Sequence, residues 1–264
     1  MQQTQCTVLS LSSGYFIVKL AECLEELENA LRLRFAVFNR ELNEGLDSSY
    51  ITGLDRDSYD EYCDHLIVID TRCNKVVGTY RLLLGFVAEN NAGYYSEGEF
   101  DMTAIRLVEG EKLELGRSCV HKDYRNAGVI NLLWAGIARY IEMYNVRHLF
   151  GCASLHTSDP GEVSMVYSYM NSFHRSGAEF TVYPIKKLGN VCLSGIVDQK
   201  TAFEKLPPLI KGYLRLGALI CGEPAYDEIF GTTDLFLLLE TEKLISRYKR
   251  RFFQESIETL CRAS

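Results

Sequence analysis

Residues 112–128 read Lys-Leu-Glu-Leu-Gly-Arg-Ser-Cys-Val-His-Lys-Asp-Tyr-Arg-Asn-Ala-Gly, and the fold turns on how they are parsed. Residues 112–120 read as a strand and residues 121–128 as a short polar loop. Ile130, Leu133, Trp134, Ile137 and Ile141 then recur at helical spacing and make one apolar stripe. Upstream, residues 65–70 and 76–84 read as a hairpin around the turn-prone Cys73-Asn74. Before it, Leu24, Leu27, Leu31, Phe35 and Phe38 keep helical spacing within residues 20–42. Residues 43–64 between them are acidic and irregular. Downstream, residues 148–155 form another strand, Ser158-Asp159-Pro160 opens a helix with Pro at its first position, and Gly177 is placed to cap its far end. Beyond Pro184 come a Pro207-Pro208 break, a short helix, a strand over residues 234–240 and a basic last helix. No linker or repeat interrupts the chain. The expectation is one α/β domain over residues 1–264, with residues 186–264 an α/β elaboration on the same core.

Composition limits what such a domain does. With 47% hydrophobic and 24% charged residues, the chain has a core to bury, which disfavours disorder and coiled coil. Apolar runs such as residues 235–239 fall far short of the roughly 20 residues a spanning helix needs. No basic residue precedes Lys19 and no apolar segment leads to a small-residue cleavage site, so a cytoplasmic location is expected. Nine cysteines without a CxxC pair read as reduced thiols, neither a disulfide frame nor a metal site. A net charge of −7 argues against nucleic-acid binding, so an anionic partner must meet a local basic patch.

Glu114 and Arg117 bracket Gly116 on the third strand, where a period of two would send them to opposite faces. Glycine inside a strand often marks a bulge, which re-aims the next side chain and frees backbone N–H groups. A carboxylate there suits proton removal from an attacking amine, and freed amides suit a tetrahedral oxyanion; a structural ion pair at a strand end is the alternative. Arg125-Asn126-Ala127-Gly128 at a helix start suits an anion such as phosphate, although glycine near a helix start is common. Arg34 and Phe38 share a helix face, Asp57 and Asp60 sit in the acidic stretch, and Arg81 ends an otherwise apolar strand; each alone reads as a solvated rim charge or its neighbour. The five histidines show no metal spacing, and Ser118-Cys119 lacks a nucleophile elbow.

These residues together resemble the N-acyl amino acid synthases, the family of the ornithine N-acyltransferases. The likeness runs through Cys63-Asp64-His65-Leu66, Gly78-Thr79-Tyr80-Arg81, Tyr95-Ser96-Glu97, Leu113-Glu114-Leu115-Gly116-Arg117-Ser118-Cys119-Val120-His121, Phe150-Gly151-Cys152-Ala153, Pro207-Pro208-Leu209 and Cys221-Gly222-Glu223-Pro224. It implies a GNAT-like, mostly antiparallel mixed sheet flanked by helices. It also implies transfer of a long-chain or 3-hydroxy acyl group from acyl carrier protein to the α-amine of an amino acid such as ornithine, glycine or lysine. The family is similar in turn to the acyl-homoserine-lactone synthases, and that likeness raises Arg34, Phe38, Asp57, Asp60 and Arg81 as substrate-binding residues beside catalytic Glu114 and Arg117, with Ser118 of the same run counted among the substrate-binding residues. Cys119, Val120, Arg125, Asn126, Ala127, Gly128 and Trp134 become the acyl and phosphopantetheine site, and Lys122 and Arg125 the carrier-protein landing. Arg34 or Arg81 is expected to hold the acceptor carboxylate. No metal or redox cofactor is implied; acyl-phosphopantetheine on the carrier protein is the co-substrate. A homoserine-lactone-type synthase and a noncatalytic lipid-binding protein are the competing readings.

Near the end, Lys243, Arg247, Lys249, Arg250 and Arg251 precede Phe252 and Phe253 in an otherwise acidic chain. A solvated helix face and a peripheral anchor for an anionic membrane surface both fit this pattern.

Overall fold

The computed structural model describes residues 9–125, 127–193, 198–228 and 230–242. In chain order the elements are β1 (Ser10–Ser13), β2 (Phe16–Leu20), α1 (Leu24–Val37), α2 (Ser49–Thr52), β3 (Asp64–Asp70), β4 (Lys75–Leu84), α3 (Gly85–Glu89), β5 (Phe100–Asp101), α4 (Thr103–Leu107), β6 (Glu111–Val120), α5 (Ala127–Tyr144), β7 (Val146–Leu155), α6 (Pro160–Phe173), β8 (Tyr183–Pro184), α7 (Gln199–Lys205), α8 (Pro208–Leu216), β9 (Leu219–Ile220), β10 (Ala225–Asp227) and β11 (Thr232–Glu240). They fall into two compact units. The first comprises Met1–Leu83, Leu115–Val146 and Thr241–Ser264, the second Leu84–Glu114 and Arg147–Glu240. Strand β6 therefore gives residues 111–114 to the second unit and the remainder to the first.

In the first unit the strand order is β1-β2-β3-β4-β6, with the β1/β2, β2/β3 and β3/β4 pairs antiparallel. The β3/β4 hairpin is the one expected, turning through Asn74 at φ 51°. Its predecessor, the β1/β2 hairpin, escaped the sequence reading; Gly14 at φ 58° makes its turn. Helix α1 carries Glu25 and Glu26 in its first turn and Arg34 in its last, matching its dipole, and continues as a π-helical turn, Phe38–Leu42. Leu24, first of the expected apolar stripe, lies 77% exposed, while Ala30, Leu33 and Val37 pack with Ile67, Val76 and Cys119. Helix α5 buries Leu133, Ile137 and Ile141 as its stripe predicts, and Ile130 stays at the rim. A Cβ at Gly136 would stand 2.9 Å from Val18 and 3.0 Å from Leu66, so glycine sets how closely α5 approaches β2 and β3.

In the second unit β11 pairs antiparallel with β7 over Thr233↔Leu155 to Glu240↔His148, and with β10 and β9. Strands β5 and β8 form a separate antiparallel pair. Helices α6 and α8 bring Val163, Val166, Met170, Ile210 and Leu214 onto Ala153, Leu155, Leu235 and Leu237. Helix α6 begins where Pro160 predicts, with the Asp159 carboxylate accepting the Glu162 N–H at 2.8 Å. Its end corrects the sequence expectation: the helix stops at Phe173, capped through His174, and Gly177 opens a later 3-10 turn. The reason is competition for the backbone. Arg175 forms a bridge to Ile220, and the Ser176 N–H donates to the Ile220 carbonyl at 2.9 Å, so strand-type pairing takes over. Of the basic last helix only Thr241 and Glu242 are described; Lys243, Arg247, Lys249, Arg250 and Arg251 lie outside the described residues.

Candidate active site

The acidic stretch is ordered by arginines. Asp57 opens the 3-10 turn Ser58–Glu61 as its N-cap, accepting the Tyr59 N–H, while the Asp60 carboxylate returns to accept the Asp57 N–H at 2.9 Å. That turn presents Asp57 and Asp60 to Arg34 from the end of α1 and Arg81 from β4. The Arg34 guanidinium donates to Asp55 at 2.8 Å and to both Asp60 oxygens at 2.6 and 3.2 Å. Arg81 donates to both Asp57 oxygens at 2.6 Å and to Asp60 at 3.3 Å, and its guanidinium lies over the Tyr59 ring. Arg117 joins them, 3.7 Å from Asp55 and 3.5 Å from Asp57, with its guanidinium 5.8 Å from the Phe38 ring centroid. Phe38 therefore acts as a shelf for Arg117.

Arg34, Arg81, Asp55 and Asp60 are all buried, so the solvated-rim reading of these charges does not hold. Burial alone would discharge Asp60, but Arg34 and then Arg81 outweigh it and hold the carboxyl below the ordinary aspartate range. Burial likewise opposes the charge on Arg34, and Asp55 and Asp60 reverse that effect. His65, whose Nε2 lies 3.3 Å from the Asp60 carbonyl, is pushed below its usual value by burial and stands neutral at pH 7. Sequence reasoning missed Asp55. The only signal for it was arithmetic: a buried guanidinium has five donors and needs more than one carboxylate.

Glu114, the last residue of β6 within the second unit, is 4% exposed. Its carboxylate accepts the Tyr95 N–H at 2.8 Å through Oε2, and the Ser96 N–H at 2.8 Å and the Ser96 hydroxyl through Oε1. Tyr95 and Ser96 belong to a 3-10 turn, Tyr95–Gly98, closed by a Glu97 that accepts the Tyr94 N–H. Three donors on two oxygens fix the carboxylate's orientation. The expected irregularity in β6 falls at Arg117, one residue past Gly116: its φ of 46° is left-handed, a conformation that costs a non-glycine residue about 1–2 kcal/mol.

The remaining candidates are spread along β6 and α5. Cys119 is buried in the first unit's core, and burial pushes its thiol up to about 12. Trp134 is buried edge-to-face against Tyr80, 6.2 Å between centroids. Ser118 is half-buried, Lys122 and Gly128 are exposed, and Ala127 is the first residue of α5. Asn126 lies outside the described residues. Arg125 donates its Nε to the Val120 carbonyl at 3.0 Å and pairs both terminal nitrogens with Glu41, a contact the sequence gave no sign of.

Residues 33–135 match the family model described as an acetyltransferase (GNAT) domain. An N-acyl amino acid synthase from uncultured soil microbes has the same fold, with a TM-score of 0.51 at 9% identity over 89% of this chain and 93% of that one. A CoA-dependent acyl-homoserine lactone synthase gives 0.50 at 15% identity over 85% and 81%. The fold is therefore GNAT-like. The L-ornithine N(alpha)-acyltransferase of Brucella abortus is 35% identical over 89% of this chain and 88% of its own length, and that of Rhodobacter capsulatus 33% identical over 91% and 95%. The chain belongs to the L-ornithine N(alpha)-acyltransferase family.

Proposed function

We propose that the protein moves a long-chain acyl group from the phosphopantetheine thioester of acyl carrier protein to the α-amine of an amino acid, ornithine first among them. The observation that carries this is Glu114, a buried carboxylate fixed by three donors in a chain whose relatives bear the name ornithine acyltransferase. The amine nitrogen attacks the thioester carbonyl and Glu114 takes its proton, directly or through water. Backbone N–H groups at Gly116 and Ser118 meet the developing oxyanion. The C–S bond then breaks and the leaving thiolate takes the proton that Glu114 received, giving free carrier thiol, the amide and the Glu114 carboxylate again. Arg81 receives the acceptor's carboxylate, since it and its partner Asp57 keep 4% and 14% side-chain exposure whereas Arg34 and Asp55 keep 1% each. Arg34, and Arg117 on its Phe38 shelf, belong to the same first-unit cluster as Arg81.

Lys122, together with Arg125 once it exchanges Glu41 for a carrier-protein carboxylate, forms the basic landing for an acidic carrier protein, beside the helix start that receives the phosphopantetheine phosphate. Purified protein with ornithine should consume acyl carrier protein thioester in preference to the matching acyl-CoA, with the product mass identifying the amide. That preference should shrink as ionic strength rises from about 0.05 to 0.5 M, because screening shortens the reach of exposed charges. Equal use of both donors at every salt concentration overturns the carrier-protein assignment.

The amide product is a lipid, and the basic terminal residues are proposed as a weak, reversible membrane contact at about 1 kcal/mol per basic residue near anionic headgroups. Cosedimentation with vesicles should increase with anionic lipid and decrease when Lys249, Arg250 and Arg251 become glutamate. Binding indifferent to both leaves the tail without that role.

A further inference from the structure

The second unit holds another group of ionisable side chains connected to Glu114, with Asp234 buried and Glu99 and Cys152 half-buried. Glu99 follows the Tyr95–Gly98 turn, Cys152 lies on β7 and Asp234 on β11, and their carboxylate and thiol atoms lie within 4.8 Å of one another. Asp234 pairs in register with Ser154 and Phe236 with Cys152, which makes Asp234 and Cys152 diagonal neighbours on one face of the sheet. Asp234 accepts the Thr232 hydroxyl at 3.2 Å. The Cys152 thiol donates to the Ser96 hydroxyl oxygen at 3.3 Å, and the Ser96 hydroxyl donates to Glu114. One line of side chains thus runs from a carboxyl pair to the proposed base.

The direction of that line depends on proton count. A thiol and a hydroxyl have one hydrogen each. The Ser96 hydrogen goes to Glu114, so Ser96 and Glu99 compete for the single Cys152 hydrogen, and a Glu99 carboxylate would draw it away from Ser96. A second charge here would also face Asp227 on β10, Asp234 on β11 and, beyond Ser96, Glu114 itself, with the Ser154 and Thr232 hydroxyls as the other polar neighbours. Burial, and then Asp234 beside it, pushes the Glu99 carboxyl up to about 9, and burial raises Asp234 as well. One Glu99 oxygen, Oε2, is buried without a partner, as befits a carboxyl that has not ionised.

We propose that Glu99 and Asp234 share a proton and, through Cys152 and Ser96, hold the Glu114 carboxylate in the orientation that receives the amine proton. Glu99, Asp234, Cys152 and Ser96 are positioning residues, and the proposal rests on the assignment of Glu114 as the base. When the shared proton is lost, a Glu99 carboxylate, now an acceptor only, draws the Cys152 hydrogen to itself. Ser96 then loses the donor that fixes it, and Glu114 loses its alignment.

The test is the pH dependence of kcat at saturating amino acid, between roughly pH 6 and 10, for the full chain and its variants. Wild type should lose activity on the alkaline side. Glu99→Gln, which cannot ionise, should move that limb up by a pH unit or more. Cys152→Ala should lower kcat between about tenfold and 100-fold with KM little changed, the scale of a small misalignment, and Cys152→Ser should restore most of the loss. Thermal denaturation provides the fold control, with a definite sign. A carboxyl raised in the folded state is a burden that grows as pH rises from its ordinary value near 4.5 towards about 9. Glu99→Gln should therefore melt above wild type at pH 8, with the gap closing near pH 5. A purely structural pair gives that stability difference and leaves the kcat profile unmoved, which overturns the proposal. So does a stoichiometric zinc ion, lost to chelator and needed for activity, because the same three side chains would then be its ligands. Should Glu114→Gln prove active, the general-base reading itself fails; should only the Glu99 and Cys152 profiles match wild type, that reading stands and this one falls.

Discussion

Glu114→Gln is expected to lower amide formation by more than about 100-fold, the lower end of what a positioned general base contributes. The amide keeps the side chain's shape but cannot take a proton from the attacking amine. Its oxygen can keep the two Ser96 donors on one side, whereas its NH2 replaces the oxygen that accepts the Tyr95 N–H at 2.8 Å. Two donors then face each other in a buried place, at a cost of about 1–3 kcal/mol. A melting temperature a few degrees below wild type is therefore part of the expectation, and circular dichroism at the assay temperature separates this from unfolding. Because the proton moves only as the reaction proceeds, kcat and kcat/KM should fall together while KM holds. A folded Glu114→Gln enzyme turning over near the wild-type rate removes Glu114 from the mechanism.

What could be read from sequence follows the range of the forces involved. The β3/β4 hairpin, α5 and the start of α6 are decided by local spacing, by Asn74 in its turn and by Pro160 at its helix start, and they form where expected. The end of α6 is not local: Ile220, more than forty residues away, pulls Arg175 and Ser176 out of the helix. The same division holds among the site residues. Arg34, Asp57, Asp60 and Arg81 carried individually weak signals because a charge in sequence looks alike whether it faces water or another charge. Their meeting depends on how β4 and the turn after α2 are placed, and family likeness supplied what spacing could not. Asp55, Glu99 and Asp234 carried no pattern at all, and Ser96 and Cys152 stood inside stretches of family likeness with no role attached, since the contacts that give them meaning join stretches tens of residues apart.

Asp60→Asn is expected to have the largest effect on stability, about 3–5 kcal/mol, the usual consequence of removing one partner from a buried ion pair. At roughly 2–4 °C per kcal/mol for a chain of this size, the melting temperature should drop by about 6–20 °C. The carboxylate accepts from Arg34 twice, from Arg81 and from the Asp57 N–H, so its loss leaves buried guanidinium charge uncompensated and loosens the turn that presents Asp57. Asp57→Asn should cost less, about 1–3 kcal/mol, because its carboxylate keeps contact with solvent. The pH dependence has a definite sign. Asp60 titrates lower folded than unfolded, so its contribution is complete above the unfolded value of about 3.9 and disappears as pH falls through the folded one. Wild type and Asp60→Asn should thus differ most at neutral pH and converge in acid. One route would defeat the prediction: Asp55 Oδ1 is buried without a partner beside Arg34, and a small rotation would let it take the released guanidinium hydrogen. A loss below about 1 kcal/mol in Asp60→Asn, with a large loss appearing only in the Asp55→Asn, Asp60→Asn double variant, would show that Arg34 needs one carboxylate at a time and that the two aspartates substitute for each other.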